Sequence, residues 1–142
     1  MPTRKSQAVW SGNLKDGNGK MTVGDGIFTA DFSFASRFEK ADQTNPEELI
    51  GAAHAGCYSM ALSHALAEAG HDPQSVDTTA TVQLDAVDGG FEISRIDLAT
   101  KARVAGIDEG TFREFAEDAK ANCPVSKALA GPQINLSATL LS

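Results

Sequence analysis

Asn45-Pro46-Glu47-Glu48-Leu49-Ile50-Gly51-Ala52-Ala53-His54-Ala55-Gly56-Cys57-Tyr58-Ser59-Met60-Ala61-Leu62 is the stretch on which the fold turns. Asn45 can cap a helix, Pro46 suits the first helical position, and Glu48, three residues past Asn45, completes a capping-box pattern. Apolar residues then recur at Ile50, Ala53, Cys57, Met60, Ala61 and Ala65, which is a helical period. Gly70 is a natural stop. Small apolar residues on most sides predict a buried central helix rather than a surface one.

Upstream of this helix the pattern is that of strands. Gln7–Trp10, Lys20–Val23 and Ile27–Phe32 are separated by Asp16-Gly17-Asn18-Gly19 and Gly24-Asp25-Gly26, turn chemistry that predicts a β-meander. Downstream, Val76, Thr78, Ala80, Val82 and Leu84 alternate. Asp88-Gly89-Gly90 then turns the chain into a strand over Phe91–Leu98. A second helix is expected from about Thr111, with Glu114 in a second capping box and Phe112, Phe115, Ala116 and Ala119 on one face. Cys123-Pro124 ends it, a short turn runs to about Leu129, and Ile134, Leu136, Ala138 and Leu140 alternate in a last strand. Antiparallel strands segregated from helices define an α+β fold. No repeat, low-complexity tract or linker interrupts the 142 residues, so 1–142 reads as a single domain, at a length usual for one.

Aromatic residues make up only 6% of the chain while alanine is plentiful, so the expected core is one of small side chains on closely packed helices. A formal net charge of −7 with scattered Lys and Arg argues against a nucleic-acid partner, which needs clustered cations to displace phosphate counterions. No stretch approaches the roughly 18–20 apolar residues of a membrane span. Met1–Gln7 lacks the apolar segment of a secretory signal, and a cytoplasmic chain is expected. Two cysteines in a reducing compartment are seldom a structural staple; catalytic, redox-sensing and metal-binding roles are commoner.

An unperturbed thiol has a pKa of roughly 8.5 and is only slightly ionised at neutral pH. A cysteine that acts as a nucleophile must be mostly thiolate, and a neighbouring arginine can lower its pKa by roughly 1–3 units. Arg37, in Ser36-Arg37-Phe38-Glu39, is a candidate for that charge. Cys57 is far from the start of its helix and gains nothing from the helix dipole unless Gly56 introduces a kink. It reads either as a nucleophile or as a small buried hydrophobe. Cys123 precedes a proline suited to a first helical turn, and reads either as a cap residue whose neighbouring N–H groups favour a thiolate or as a buried helix end. His54, three residues before Cys57, opens a rival: with His64 or Cys123 it could bind zinc or form a Cys–His pair. The spacing fits no compact zinc pattern, and a hydrogen-bonded core or surface histidine is the commoner outcome.

Thr44 to Cys57 closely resembles the segment around the first cysteine of the osmotically inducible protein C (OsmC) family, relatives of the organic hydroperoxide resistance proteins. Cys123-Pro124-Val125-Ser126 resembles that family's second-cysteine motif, and Ser36-Arg37-Phe38-Glu39 also matches. The resemblance covers nearly the whole chain. It implies an intertwined homodimer with sites at the subunit interface, and no bound metal or organic cofactor. It further implies reduction of organic hydroperoxides by Cys57, through a sulfenate and a Cys57–Cys123 disulfide, with Arg37 and Glu47 assisting. An external thiol, a small one or a lipoylated protein, would then restore the pair. Asn13-Leu14-Lys15-Asp16-Gly17 offers no arginine where the organic hydroperoxide resistance branch carries one, so Arg37 places the chain on the OsmC branch. Glu47 and Cys57 stand ten positions apart, roughly 15 Å of helical rise. Arg37 and Glu47 are therefore expected to serve Cys57 of the other subunit. The alternative is a non-catalytic structural, zinc-binding or small-molecule-binding domain with packed cysteines.

Overall fold

The computed structural model describes residues 1–40 and 42–142, which divide into two compact units, Met1–Leu49 and Ile50–Ser142. The first unit opens with the expected meander: β1 (Ser6–Ser11), β2 (Asn18–Val23) and β3 (Phe28–Phe32), antiparallel in that order. Gly19 is obligatory at its place in β2. A side chain there would meet the rings of Trp10 and Phe32 at under 3 Å, and those rings pack on each other at 5.3 Å between centroids.

A short helix, α1 (Phe34–Phe38), was not expected. Ser33 caps it by accepting from the Ser36 amide, while the Ser36 hydroxyl accepts from the Ser33 amide at 2.8 Å. α2 (Pro46–Glu68) follows. Asn45 caps it as expected, its Oδ1 accepting from the Glu48 amide at 2.8 Å, and its amide group donates to Ser36 O at 2.8 Å. Glu48 does not close the capping box; it accepts instead from the Thr44 hydroxyl.

In the second unit α2 runs unbroken past Gly56, so the kink that Gly56 could have allowed does not form. Gly70, at φ 87°, lies just beyond its end. The buried face of α2 is Gly51, His54, Tyr58, Leu62 and Leu66, one step round from the stripe read off the sequence. Ala53 is exposed in the single chain, and Met60 is 76% exposed. Gly51 keeps the contact with the sheet close, since a Cβ there would stand 3.4 Å from Ala80 O and Val82 Cγ2.

That sheet has the order β4–β5–β6. β4 (Pro73–Val87) and β5 (Gly90–Val104) form a long hairpin across Asp88-Gly89, and both strands outrun their expected limits. β6 (Gln133–Leu141) pairs with β5 in parallel, which corrects the expectation of an antiparallel sheet. The cause is the connection. Between β5 and β6 lie α3 (Glu109–Asn122) and α4 (Pro124–Ala128), and a helical crossover brings the chain back to run in the same direction. α3 starts at Asp108, whose carboxylate accepts from the Thr111 amide and hydroxyl, and not at a Thr111–Glu114 box. The core is built on Tyr58, Leu62, Leu66, Ile96, Leu98 and Phe112. Large side chains dominate it, so the expectation of a small-residue core between helices fails. Buried residues at Ile96, Leu98, Thr100, Ala102 and Val104 give β5 a period of two. Among the described residues no helix is long and apolar enough to cross a membrane.

Candidate active site

Both cysteines belong to the second unit, and the fold brings them together. Cys57 sits midway along α2 and is partly exposed; Cys123 is fully buried at the junction of α3 and α4. They approach to 3.7 Å and are not bonded. A disulfide holds its sulfurs about 2.05 Å apart, so the two cysteines are neighbours without a bond between them.

Cys123 caps α3 at its end and α4 at its start. The first turn of a helix leaves amides without intrahelical partners, and α4 spends them on sulfur. Pro124 has no N–H to give. The Val125 amide hydrogen-bonds to Cys57, and the Ser126 amide donates to Cys123 Sγ at 3.3 Å. The Ser126 hydroxyl lies 3.0 Å from Cys123 Sγ and 2.7 Å from His54 Nε2. His54 is fully buried, and among the described residues its Nδ1 has no hydrogen-bond partner. The structure thus gives His54 the hydrogen-bonded core position that a lone helical histidine commonly takes. Among the described residues no three His, Cys, Asp or Glu side chains converge as a metal site would require.

Burial pushes the Cys57 thiol up, the Val125 amide pulls it down, and contact with Cys123 raises it again. None of these influences is a cation. Within this unit the surroundings favour the neutral thiol, so a reactive thiolate needs a positive charge in addition. Tyr58, the next residue on α2, donates its hydroxyl to Ala116 O at 3.0 Å. Burial, Glu117 and Cys123 all push its ionisation upward, which keeps it a proton-bearing anchor between α2 and α3.

The charged pair lies in the first unit. Arg37, at the end of α1, donates from Nε and Nη2 to one oxygen of Glu47, Oε1, at 3.0 and 2.7 Å. Glu47 Oε2 is buried and, among the described residues, accepts nothing. The contact is two-donor but not the two-oxygen fork that arginine and carboxylate often make. The Glu47 side chain is 9% exposed and that of Arg37 36%, so the carboxylate is fixed while the guanidinium keeps a free edge. The Arg37 guanidinium also stands 5.5 Å from the centre of the Phe38 ring. The link from Ser126 to His54 was missed by sequence reasoning. Ser126 counted only as part of a four-residue motif, and a contact spanning 72 positions leaves no local trace.

Comparisons with known proteins give the chain's family and fold. A family model described as OsmC-like protein matches residues 39–137. Peroxiredoxin OsmC of Escherichia coli strain K12 is 51% identical over 127 residues, covering 89% of each chain. Organic hydroperoxide resistance protein OhrB of Bacillus subtilis strain 168 is 30% identical over 115 residues, covering 80% of this chain and 82% of that protein. In fold, the crystal structure of an organic hydroperoxide resistance protein from Elizabethkingia anophelis superposes with a TM-score of 0.76. It does so at 22% identity over 99% of both chains.

Proposed function

Because this chain belongs to the OsmC-like protein family, on its OsmC branch, we propose that it is a two-cysteine peroxidase that reduces organic hydroperoxides to alcohols. The observation that carries the reading is the unbonded contact of Cys57 and Cys123 at 3.7 Å. The thiolate of Cys57 attacks the outer oxygen of the hydroperoxide; the O–O bond breaks, its electron pair leaves on the alkoxide, and a proton completes the alcohol. Cys57 is then a sulfenic acid. Cys123 displaces its hydroxyl to form the disulfide before over-oxidation, and an external dithiol or pair of thiols reduces the bond. Small thiols and lipoylated proteins are the candidate reductants. Ala53 and Met60, exposed apolar residues four before and three after Cys57 on α2, suit alkyl or fatty-acid hydroperoxides better than hydrogen peroxide.

The missing cation is assigned to Arg37, held by Glu47, from a second copy of the chain. Two observations support this. The thiol has no cation among the influences that set its ionisation. α2 is continuous from Pro46 to Glu68, which puts roughly 15 Å of helical rise between positions 47 and 57 of one chain. The exposed Ala53 and Met60 on the same helix fit an apolar face that a second copy covers.

A Cys57→Ser variant should lose turnover, whereas Cys123→Ser should consume one equivalent of hydroperoxide and stall or over-oxidise. Full activity in both would defeat the reading. The two-copy arrangement has its own test. Arg37→Ala and Cys57→Ser proteins, each inactive alone, should regain activity when unfolded and refolded together, because one site in the mixed dimer then has both groups. No recovery would return Arg37 to its own chain's cysteine. Comparing cumene hydroperoxide with hydrogen peroxide tests the substrate class, and equal rates would defeat that preference.

A further inference from the structure

The peroxidase cycle leaves one buried titratable side chain without a task. His54 is fully buried on α2, 2.7 Å by its Nε2 from the Ser126 hydroxyl, which is itself 3.0 Å from Cys123 Sγ. The three atoms thus form a continuous chain ending on the sulfur that must attack Cys57. We propose that Ser126 and His54 are a proton relay for Cys123, taking its thiol proton as it attacks and returning one when it leaves as a thiolate. The inference rests on the peroxidase reading for its place in the cycle.

The atoms account for themselves as follows. With the ring proton on Nδ1, His54 Nε2 accepts from Ser126, and Ser126 accepts from the Cys123 S–H. The thiol proton passes to the Ser126 oxygen as the Ser126 proton passes to Nε2. The freed electron pair of Cys123 forms the S–S bond. The S–O bond of the Cys57 sulfenic acid breaks, and its pair leaves on hydroxide, which takes a proton from solvent and departs as water. The Cys57 sulfur is reduced by one step and the Cys123 sulfur oxidised by one. His54, charged in a buried place, gives its proton up; burial lowers its affinity for that proton, so the relay resets to the neutral form. When an external thiol reduces the disulfide, it sheds a proton as it attacks Cys57; one proton taken up at His54 Nε2 then passes through Ser126 to the departing Cys123 thiolate, the same path in reverse.

The positions are those a relay needs. The Ser126 amide pins Cys123 Sγ at 3.3 Å, and α4 holds the Ser126 hydroxyl between sulfur and ring. The arrangement has the logic of a nucleophile, a hydroxyl and a base in series, each within hydrogen-bond reach of the next. Neither His54 nor Ser126 touches substrate; both act through Cys123.

A test that bypasses peroxide separates the relay from packing. The chromogenic aryl disulfide dithio-bis-nitrobenzoate should react with reduced protein in two phases. Cys57 releases the first thionitrobenzoate; Cys123 then displaces the second as it closes the Cys57–Cys123 bond. In His54→Gln the amide can keep the hydrogen bond to Ser126 but cannot take a proton. The first phase should stay within about twofold of wild type, and the second should slow by roughly 10²-fold, the low end of general-base effects. Ser126→Ala should match it, and Ser126→Thr, which keeps the hydroxyl, should recover most of the rate. A second phase in His54→Gln equal to that of wild type would overturn the relay. If the second phase slows as expected while wild-type protein consumes no hydroperoxide, the relay stands and the peroxidase reading falls.

Discussion

The two units of this chain are held together by different physics. Among the described residues every buried apolar side chain lies in the second unit, where Tyr58, Leu62, Leu66, Ile96, Leu98 and Phe112 pack around one centre. In the first unit the buried side chains are Ser36 and Glu47, both polar, while Val9, Leu14, Ile27 and Phe28 are exposed. A three-stranded sheet becomes independently stable by packing a hydrophobic face. The meander instead relies on its ladder, the Trp10–Phe32 contact, the Ser33 and Asn45 caps and the Arg37–Glu47 pair. The lesson is a division of labour: the thiols sit where packing is tight, and the charge that could ionise one of them sits where packing is sparse.

The largest expected effect tests the packing half of that contrast. Phe112→Ala removes a fully buried ring and should cost about 3–5 kcal/mol of unfolding free energy. Val9→Ala, at a residue 56% exposed, should stay within about 0.5 kcal/mol. Denaturant unfolding of both proteins measures this, and equal losses would erase the distinction between the units.

Next in size is the electrostatic half. If Arg37 supplies the cation, Arg37→Ala should move the alkylation midpoint of Cys57 toward alkaline pH by about 1–3 units, or about 1.4–4 kcal/mol. The direction follows from the lost positive charge, which would leave the burial that pushes this thiol up without a cation to oppose it. Rates of reaction with iodoacetamide across pH, in a Cys123→Ser background, give the midpoint. An unmoved midpoint would leave Arg37 a purely structural partner of Glu47.

A smaller effect belongs to the cap that starts α2. Asn45→Ala loses both the bond to the Glu48 amide and the bond to Ser36 O, and should cost about 1 kcal/mol. Asn45→Asp keeps the first and loses the second. Thermal unfolding of the two variants separates capping from the tie to α1.

What the sequence disclosed follows the range of the interaction concerned. Caps and turns are local, so the meander, the start of α2 at Asn45-Pro46 and its end near Gly70 were legible. α1 was missed because Ser33 and Ser36 make a capping box with serine where glutamate or glutamine is the usual signal. The α3 cap was misplaced because Thr111 resembles a cap but itself donates to Asp108. Strand direction is not local: β6 alternates equally well either way, and only the helical crossover before it indicated a parallel partner. Which side of α2 is buried depends on the sheet beneath it, so near-uniform small residues could not separate Cys57 from Tyr58. Of the candidate site, the cysteines and the Arg37–Glu47 pair came from motif resemblance. The Ser126–His54 contact needed the fold.

The smallest expected effect concerns that contact and can be read from stability alone. Burial lowers the pKa of His54 from the ordinary imidazole value of 6.5, so the unfolded chain binds this proton more tightly than the folded one. Stability therefore rises with pH wherever the unfolded state carries the extra proton. His54 imposes no penalty well above pH 6.5, and an increasing one as pH falls below it, until the folded pKa is reached. His54→Gln cannot titrate and should lack that share of the acid destabilisation. Other groups also titrate in this range, so the informative quantity is the difference in unfolding free energy between wild type and His54→Gln from pH 8 down to pH 5. The wild type should decline relative to the variant on the acid side. A pH-independent difference would mean that the imidazole at the end of the Cys123–Ser126 chain takes up its proton as readily in the folded protein as in the unfolded chain, so that burial does not disfavour its charged form.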